Sequence, residues 1–356
     1  MNVQNALIEF ILRQWLLVIS VVSLLVTSVY TGNIPDYSRN ELEVLFLLLA
    51  LFVAVNGLQR HGLILKISRS IEQGSLISLK LILASYFLSM VITNDIALMV
   101  IVPLTLSLNT TRKDLLVIFE ALAVNAGSAL SPFGNPQNLF IYWYYDLQPL
   151  EFIAAIAPFA LFFLVVLIMA SWFIKTSHEA VIEHSNIKLN RSAYIYVLLL
   201  FIVLLVVLHI LPIISALIVI IYALIFDRKT LRIDYALLFT FFFFFGLAEN
   251  LKLLFESQIQ GSEHVFLFSA LSSQLMSNVP ATLLFANFTE NWKALLWGTN
   301  AGGFGSLFGS FANLIAYKLY IDHKTTNNPM AFTTKFLITG YMAFFISIGL
   351  YYAVYY

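Results

Sequence analysis

Apolar segments long enough to cross a membrane recur along the whole chain and are separated by short polar or charged stretches. A helix needs about 20 mostly apolar residues to cross a hydrocarbon core of about 30 Å. The hydrophobic pattern predicts such helices at 6–31, 41–59, 114–145, 149–174, 193–209, 211–226, 234–256, 291–320 and 332–354. We therefore expect an all-α integral membrane protein.

Two further apolar segments, 76–109 and 264–288, are interrupted in the middle by polar residues. Each could be an interrupted crossing or a re-entrant hairpin. Lysine and arginine are enriched in short cytoplasmic loops, and the hairpin interpretation keeps Arg112 and Lys113 on the same side as most other cationic residues. The sequence thus predicts nine crossings of the cytoplasmic membrane and one hairpin from each face, with the amino terminus in the cytoplasm and the carboxyl terminus outside.

The composition restricts the class of protein. Hydrophobic residues make up 60% of the chain and charged residues 11%, which leaves no room for a sizeable soluble domain. The chain has no cysteine, and its 6 histidines show no metal-ligand spacing. We expect no cofactor, no structural metal and no nucleic-acid partner. The expected partners are the lipid bilayer and a small ion as substrate.

A sequence repeat relates the two halves of the chain. The segment 125–142 aligns without gaps to 300–317. A second match pairs 89–97 with 273–281, and it aligns the two polar interruptions with each other. An odd number of predicted crossings separates equivalent helices, so we expect inverted repeats with a binding site at their interface. The predicted divisions are an N-terminal helix at 1–40, repeats at 41–174 and 234–356, a cytoplasmic linker at 175–192 and two scaffold helices at 193–233.

The interruptions, together with the glycine-rich stretches after Asn125 and Asn300, form the candidate binding site. A backbone break within hydrocarbon leaves N–H and C=O groups unpaired, which is tolerated only around a cavity. The amino terminus of a hairpin's second arm favours an anion, whereas the carboxyl end of the first arm offers carbonyls to a cation. The candidate substrate- and ion-binding residues are Thr93, Asn94, Asp95, Asn125, Gly127, Ser128, Asn135, Asn138, Ser277, Asn278, Asn300, Gly302, Gly303 and Asn313. The alternative is that these small and polar residues only allow close helix packing.

Three acids lie within apolar segments, where a charge is costly and by default functional. Asp95, at a hairpin tip, could bind Na⁺ or carry a proton, or it could only cap the second arm. A transient Na⁺ could be held near Asn94, Asp95 and Asn278. Glu120 and Glu249 could be proton relays or could pair with neighbouring residues.

The residues at the interruptions carry a family resemblance. Thr93-Asn94-Asp95 with Asn125-Ala-Gly-Ser, and Ser277-Asn278-Val279-Pro280 with Asn300-Ala-Gly-Gly, resemble the paired motifs of the citrate-transporter-like domain of the ion transporter superfamily. The resemblance covers about 41–356. It implies an elevator-type carrier, with a scaffold domain that often forms a homodimer and a transport domain that holds both hairpins. Asp95 and Val279 replace the threonines of the dicarboxylate branch, and the second tip looks more like the arsenite and sodium/proton branches.

The residues and the resemblance together predict an ion-coupled secondary active transporter, a permease for a small anion such as a carboxylate or an inorganic oxyanion, with Na⁺ or H⁺ as the coupling ion. A sodium/proton antiporter or an arsenite-type efflux permease is the alternative within this class. An intramembrane enzyme would need a catalytic motif such as His-Glu-x-x-His or a nucleophile elbow, and the sequence contains neither. A channel is a further alternative, although paired hairpins suit alternating access better than an open pore.

Because the chain has no cysteine, single-cysteine variants can test the predicted orientation. Ser185→Cys, in the predicted linker, is expected to react with a membrane-impermeant maleimide in everted vesicles but not in right-side-out vesicles. Asn33→Cys, in the first predicted outer loop, is expected to show the opposite pattern. Reversed labelling of either variant would contradict the orientation.

Overall fold

The computed structural model describes residues 14–71, 76–108, 112–174, 190–255, 264–323 and 328–356. Across these ranges the chain forms α-helices and short 3-10 helices but no β-strand, so the all-helical prediction is confirmed. Most of the predicted linker at 175–192 lies outside the described residues, as does the beginning of the first predicted helix.

The helices follow one another closely along the chain. The first half contains α1 (Trp15–Thr31), α2 (Arg39–Arg60), α3 (Leu63–Ile71), α4 (Ile77–Ile92), α5 (Asn94–Ser107), α6 (Lys113–Ala129), α7 (Pro136–Tyr144) and α8 (Pro149–Ser171). The second half contains α9 (Arg191–Val207), α10 (Leu217–Phe226), α11 (Tyr235–Phe255), α12 (Val265–Met276), α13 (Asn278–Ala286), α14 (Trp292–Gly302), α15 (Phe311–Ile321) and α16 (Pro329–Tyr355). Short 3-10 helices at Ile213–Ala216 and Arg228–Leu231 precede α10 and α11.

Several helices have the length and composition of membrane spans. Among the described residues, 4 helices qualify by both criteria, namely α2, α8, α11 and α16. The helices α1, α4, α5, α9 and α12 are also apolar but shorter. A chain with this many apolar helices is a multi-pass membrane protein.

Two of the predicted helices are divided where the sequence carries glycine and proline. The predicted segment 114–145 is divided into α6 and α7, which we call the first broken helix, and 291–320 is divided into α14 and α15, the second broken helix. In the first, Asn135 caps α7 by accepting a hydrogen bond from the Asn138 N–H at 2.9 Å, and Pro136 begins the helix at a position that needs no N–H donor.

The two interrupted apolar segments form helical hairpins with one-residue tips. Hairpin 1 consists of α4 and α5, joined by Thr93, and hairpin 2 consists of α12 and α13, joined by Ser277. Thr93 has φ 73° and ψ 149°, and Ser277 has φ 73° and ψ 155°. This backbone region is normally occupied by glycine and costs about 1–3 kcal/mol for other residues. The same strained conformation therefore recurs at both tips.

Each hairpin packs its first arm on the broken helix that follows it in the chain. Gly127 on α6 lies against the Tyr86 carbonyl and Ser89 of hairpin 1, and Gly302 on α14 lies against Ser273 of hairpin 2. A Cβ atom at either glycine would collide with these groups. The glycines thus allow the two backbones to approach closely, as small residues do between membrane helices.

The remaining helices surround these elements. α1 packs along α11, and α2 packs along α9, where the Tyr196 ring lies on Gly57. The Asn56 Nδ2 group of α2 donates to the carbonyls of Thr230 at 2.8 Å and Arg232 at 3.2 Å. These hydrogen bonds attach the segment before α11 to α2, which fixes the position of the polar residues on that segment.

Gly127→Ala is expected to destabilise the protein by about 1–3 kcal/mol, because the added methyl group overpacks the contact with hairpin 1. Gly349→Ala is the matched control, since a Cβ atom there meets nothing within 4 Å. The measurement is thermal unfolding in detergent, followed by tryptophan fluorescence. Equal unfolding midpoints for the two variants would show that the close contact is not needed.

Candidate functional site

Each hairpin tip is attached to the break of its neighbouring helix by one backbone hydrogen bond. The Asn94 N–H donates to the Gly134 carbonyl at 3.1 Å, and the Asn278 N–H donates to the Gly309 carbonyl at 3.0 Å. Gly134 and Gly309 are equivalent in the sequence repeat. Both hydrogen bonds satisfy backbone groups that the tip and the break would otherwise leave unpaired.

Four buried asparagines, two from each broken helix, join the two halves of the chain. Asn125 Nδ2 donates to Asn313 Oδ1 at 2.9 Å, and Asn300 Nδ2 donates to Asn138 Oδ1 at 2.8 Å. Asn125 is equivalent to Asn300 in the repeat, and Asn138 is equivalent to Asn313, so the two hydrogen bonds are reciprocal. We call these four residues the asparagine cluster.

The same asparagines also satisfy the carbonyls at the breaks. Asn138 Nδ2 donates to the carbonyls of Ala129 at 3.0 Å and Ser131 at 3.2 Å. Asn313 Nδ2 donates to those of Gly303 at 2.9 Å and Ser306 at 3.0 Å. The cluster therefore replaces hydrogen bonds that the interrupted helices lose.

The predicted site residues Ser128, Asn135, Asn278 and Gly303 lie at the edge of this cluster. Asn135 Nδ2 donates to Ser128 Oγ at 3.1 Å. A Cβ atom at Gly303 would lie 3.2 Å from Asn278 Nδ2 and 3.4 Å from Asn125 Oδ1. The second hairpin tip and both broken helices thus converge at Gly303, where the absence of a side chain lets Asn125 and Asn278 approach its backbone closely.

The groups available at this position are an acceptor and a donor. The Asn125 Nδ2 group donates to the Ala121 carbonyl and to Asn313, whereas its Oδ1 atom receives no hydrogen bond from the described residues. Asn278 Nδ2 likewise has no acceptor among them. An amide oxygen can bind a cation and an amide N–H can bind an anion, so the site can accept either ion without a fixed charge.

Gly127 and Gly302 differ from the other predicted site residues, because both face a hairpin arm. Thr93 and Ser277 form the tips, and the Ser277 hydroxyl donates to Asn278 Oδ1 at 3.3 Å. The Asn94 side chain is occupied locally, since its Oδ1 atom accepts the Asp95 N–H at 3.0 Å.

Asp95 does not cap hairpin 1. Thr93 occupies the cap position, and no described N–H group donates to the Asp95 side chain. One carboxylate oxygen, Oδ1, is buried without a hydrogen-bond partner. Asp95 lies in the first turn of α5 but forms no hydrogen-bonded cap there, and its carboxylate is left with unsatisfied acceptor capacity.

Asp95 lines a cavity of about 250 Å³ that lies between hairpin 1, α2, α15 and the segment before α11. The sequence analysis missed the polar residues that share this cavity, which are Asn56, Gln59, Arg232 and Asp234. The sequence analysis used Arg232 only as one of the many cationic residues that it placed on the cytoplasmic side. No sequence pattern links these residues to Asp95, because they come from two other parts of the chain.

The other two predicted acids lie elsewhere. Glu120 is completely buried in α6 and accepts a hydrogen bond from the Thr105 hydroxyl of hairpin 1, while its Oε2 atom has no partner. Glu249 lies on α11, 15 residues after Asp234, which is about 22 Å along a helix. It faces the backbone of Asp36 in the segment between α1 and α2. The relay role of Glu249 therefore remains a prediction.

A helical membrane protein whose broken helices surround a buried polar site has the architecture of a membrane transporter. The chain belongs to the citrate transporter family, whose sequence profile matches residues 6–297. It is 36% identical over 296 residues to the uncharacterized transporter MJ0456 of Methanocaldococcus jannaschii. This alignment covers 78% of this chain and 81% of that protein. It is also 36% identical over 261 residues to the inner membrane protein YbiR of Escherichia coli, covering 68% and 69%. The family resemblance is confirmed, although the matched residues 6–297 begin and end earlier than the predicted 41–356.

A double-mutant cycle of Asn125→Ala and Asn313→Ala is expected to show a coupling energy of about 1 kcal/mol in the free energy of unfolding, because the two side chains share a buried hydrogen bond. Asn125→Ala with Asn287→Ala is the control pair. Asn287 accepts a hydrogen bond from Tyr144 and shares no hydrogen-bond partner with Asn125, so additive effects are expected. Additive changes in the free energy of unfolding in both pairs would contradict the hydrogen bond between Asn125 and Asn313.

Proposed function

We propose that the protein is an ion-coupled secondary active transporter that moves a small anion across the cytoplasmic membrane. The anion would be a carboxylate or an inorganic oxyanion, and the coupling ion would be Na⁺ or H⁺. The observation that carries this proposal is the position of Asp95. Its carboxylate has a buried oxygen without a partner, at a hairpin tip and beside a cavity. A bound cation or proton would satisfy that oxygen and neutralise its charge.

The anion would bind where hairpin 2 meets both broken helices. There Asn278 Nδ2 and the polar residues near Gly303 offer donors, and no described lysine or arginine makes a hydrogen bond to the asparagine cluster. Without a cationic side chain, an anion at this position depends on a nearby bound cation for charge compensation. This dependence would couple the anion to Na⁺ or H⁺ thermodynamically.

The proposed mechanism is alternating access by an elevator movement of two inverted repeats. Equivalent contacts in the two halves support the repeat, because the tip-to-break hydrogen bonds and the asparagine pairs both occur twice. The second arm of each hairpin packs on the broken helix of the other half, α5 on α15 and α13 on α7. The hairpins and broken helices could therefore move as one body against α2, α9 and α11, with the amino terminus in the cytoplasm. The homodimer and a relay role for Glu120 remain predictions.

A second candidate function is sodium/proton antiport. It is favoured by the same observation that no described lysine or arginine donates a hydrogen bond to the asparagine cluster. An antiporter needs only one acid that binds Na⁺ and H⁺ in competition, and Asp95 meets that requirement.

The test uses purified protein in proteoliposomes, with uptake of labelled citrate, succinate, phosphate and arsenite measured with and without inward Na⁺ and H⁺ gradients. Gradient-driven accumulation of one anion is expected. Asp95→Asn is expected to lower it about tenfold or more, because the amide cannot compensate the charge of the coupling cation.

Asp322→Asn is the matched control, since Asp322 is exposed after α15 and lies outside the cavity. It is expected to transport like the wild type. If none of the anions moves while a pH-sensitive dye reports Na⁺/H⁺ exchange that Asp95→Asn abolishes, antiport replaces the anion permease.

A further inference from the structure

The Asp95 cavity contains charges from two different parts of the structure. Asp95 belongs to hairpin 1, whereas Arg232 and Asp234 belong to the segment between the second 3-10 helix and α11. Asp95 is largely buried, and the other two are exposed at the mouth. An ion that approaches Asp95 through this cavity enters a space that Arg232 and Asp234 also line.

Asp234 is held in place by its own helix. Its Oδ1 atom accepts hydrogen bonds from the N–H groups of Ala236 at 3.1 Å and Leu237 at 3.3 Å, so it caps α11. The preceding backbone is attached to α2 through Asn56. The Asp234 carboxylate thus has a fixed position on the cavity that Asp95 also lines.

Arg232 provides a charge of the opposite sign at the same mouth. Its guanidinium forms no ion pair within the described part of the chain, so its charge is not cancelled by a fixed partner. Two carboxylates and one guanidinium give the cavity a net negative charge, which raises the local concentration of cations. Asp234 therefore favours a cation at Asp95 and Arg232 opposes it.

We propose that Asp234 is a further determinant of coupling-ion affinity, and that it acts on Asp95 only while hairpin 1 faces this cavity. The inference rests on the proposed function, in which Asp95 binds Na⁺ or H⁺ and hairpin 1 moves relative to α2 and α11. Asp234 stays with α11 when the hairpin moves. The cation affinity of the transporter is then higher on the side to which the cavity opens, which is the predicted cytoplasmic side of Arg228, Lys229 and Arg232.

The test measures cation flux, so it does not require the anion to be known. Everted and right-side-out membrane vesicles expose opposite faces of the protein, and ²²Na⁺ exchange and a pH-sensitive dye report the two coupling ions. Asp234→Asn keeps the oxygen that caps α11 and removes the charge. It is expected to raise the half-saturating cation concentration about three- to tenfold in everted vesicles, with no change in right-side-out vesicles.

Arg232→Gln is expected to shift the half-saturating concentration in the opposite direction in everted vesicles. Structural damage would weaken cation binding in both variants, so opposite shifts separate an electrostatic role from a structural one. Raising the ionic strength with choline chloride is expected to reduce both shifts, because the two charges are exposed. Asp322→Asn, which removes an exposed acid elsewhere, is expected to behave like the wild type.

The inference is overturned if Asp234→Asn leaves the cation affinity unchanged in everted vesicles, changes it equally on both faces, or shifts it in the same direction as Arg232→Gln. Asp95→Asn tests the proposed function separately in the same vesicles. Full cation flux in that variant would refute the role of Asp95, whatever the result at Asp234.

Discussion

The structure depends on the satisfaction of backbone groups at four interruptions of membrane helices. In hydrocarbon each unpaired N–H or C=O group costs several kcal/mol. Two tip-to-break hydrogen bonds and the asparagine cluster satisfy many of these groups, and the two reciprocal asparagine pairs also connect the halves of the chain. The contacts that stabilise the interruptions are therefore the same contacts that build the polar centre.

The polar groups separate into a neutral centre and a charged cavity. At Gly303 the available groups are amides, which can bind ions of either sign. Asp95 lies instead beside a cavity that also receives the charged residues Arg232 and Asp234. In the proposed transporter, a neutral centre would hold its ligands weakly enough to release them, and Asp95 would make the binding depend on a cation.

The sequence analysis predicted the hairpins and broken helices because their signals are local. Polar residues and glycine or proline interrupt apolar runs, and the repeat identified equivalent residues without knowledge of the fold. The four candidate asparagines of the sequence analysis do lie together in the structure, as the asparagine cluster. It did not distinguish Gly127 and Gly302, which face hairpin arms, from Gly303, which faces the polar centre. Adjacent glycines look alike in sequence, and only their direction on the helix separates them.

The sequence by itself determined the helical membrane class, the family and the pairing of equivalent residues, because these follow from composition, periodicity and repeated motifs. Only the tertiary structure decided which asparagines bond to each other, that Asp95 does not cap its helix, and that Asn56, Arg232 and Asp234 share its cavity. Those relations join segments far apart in the chain. Their geometry is set by how helices pack, and no local pattern of residues encodes it.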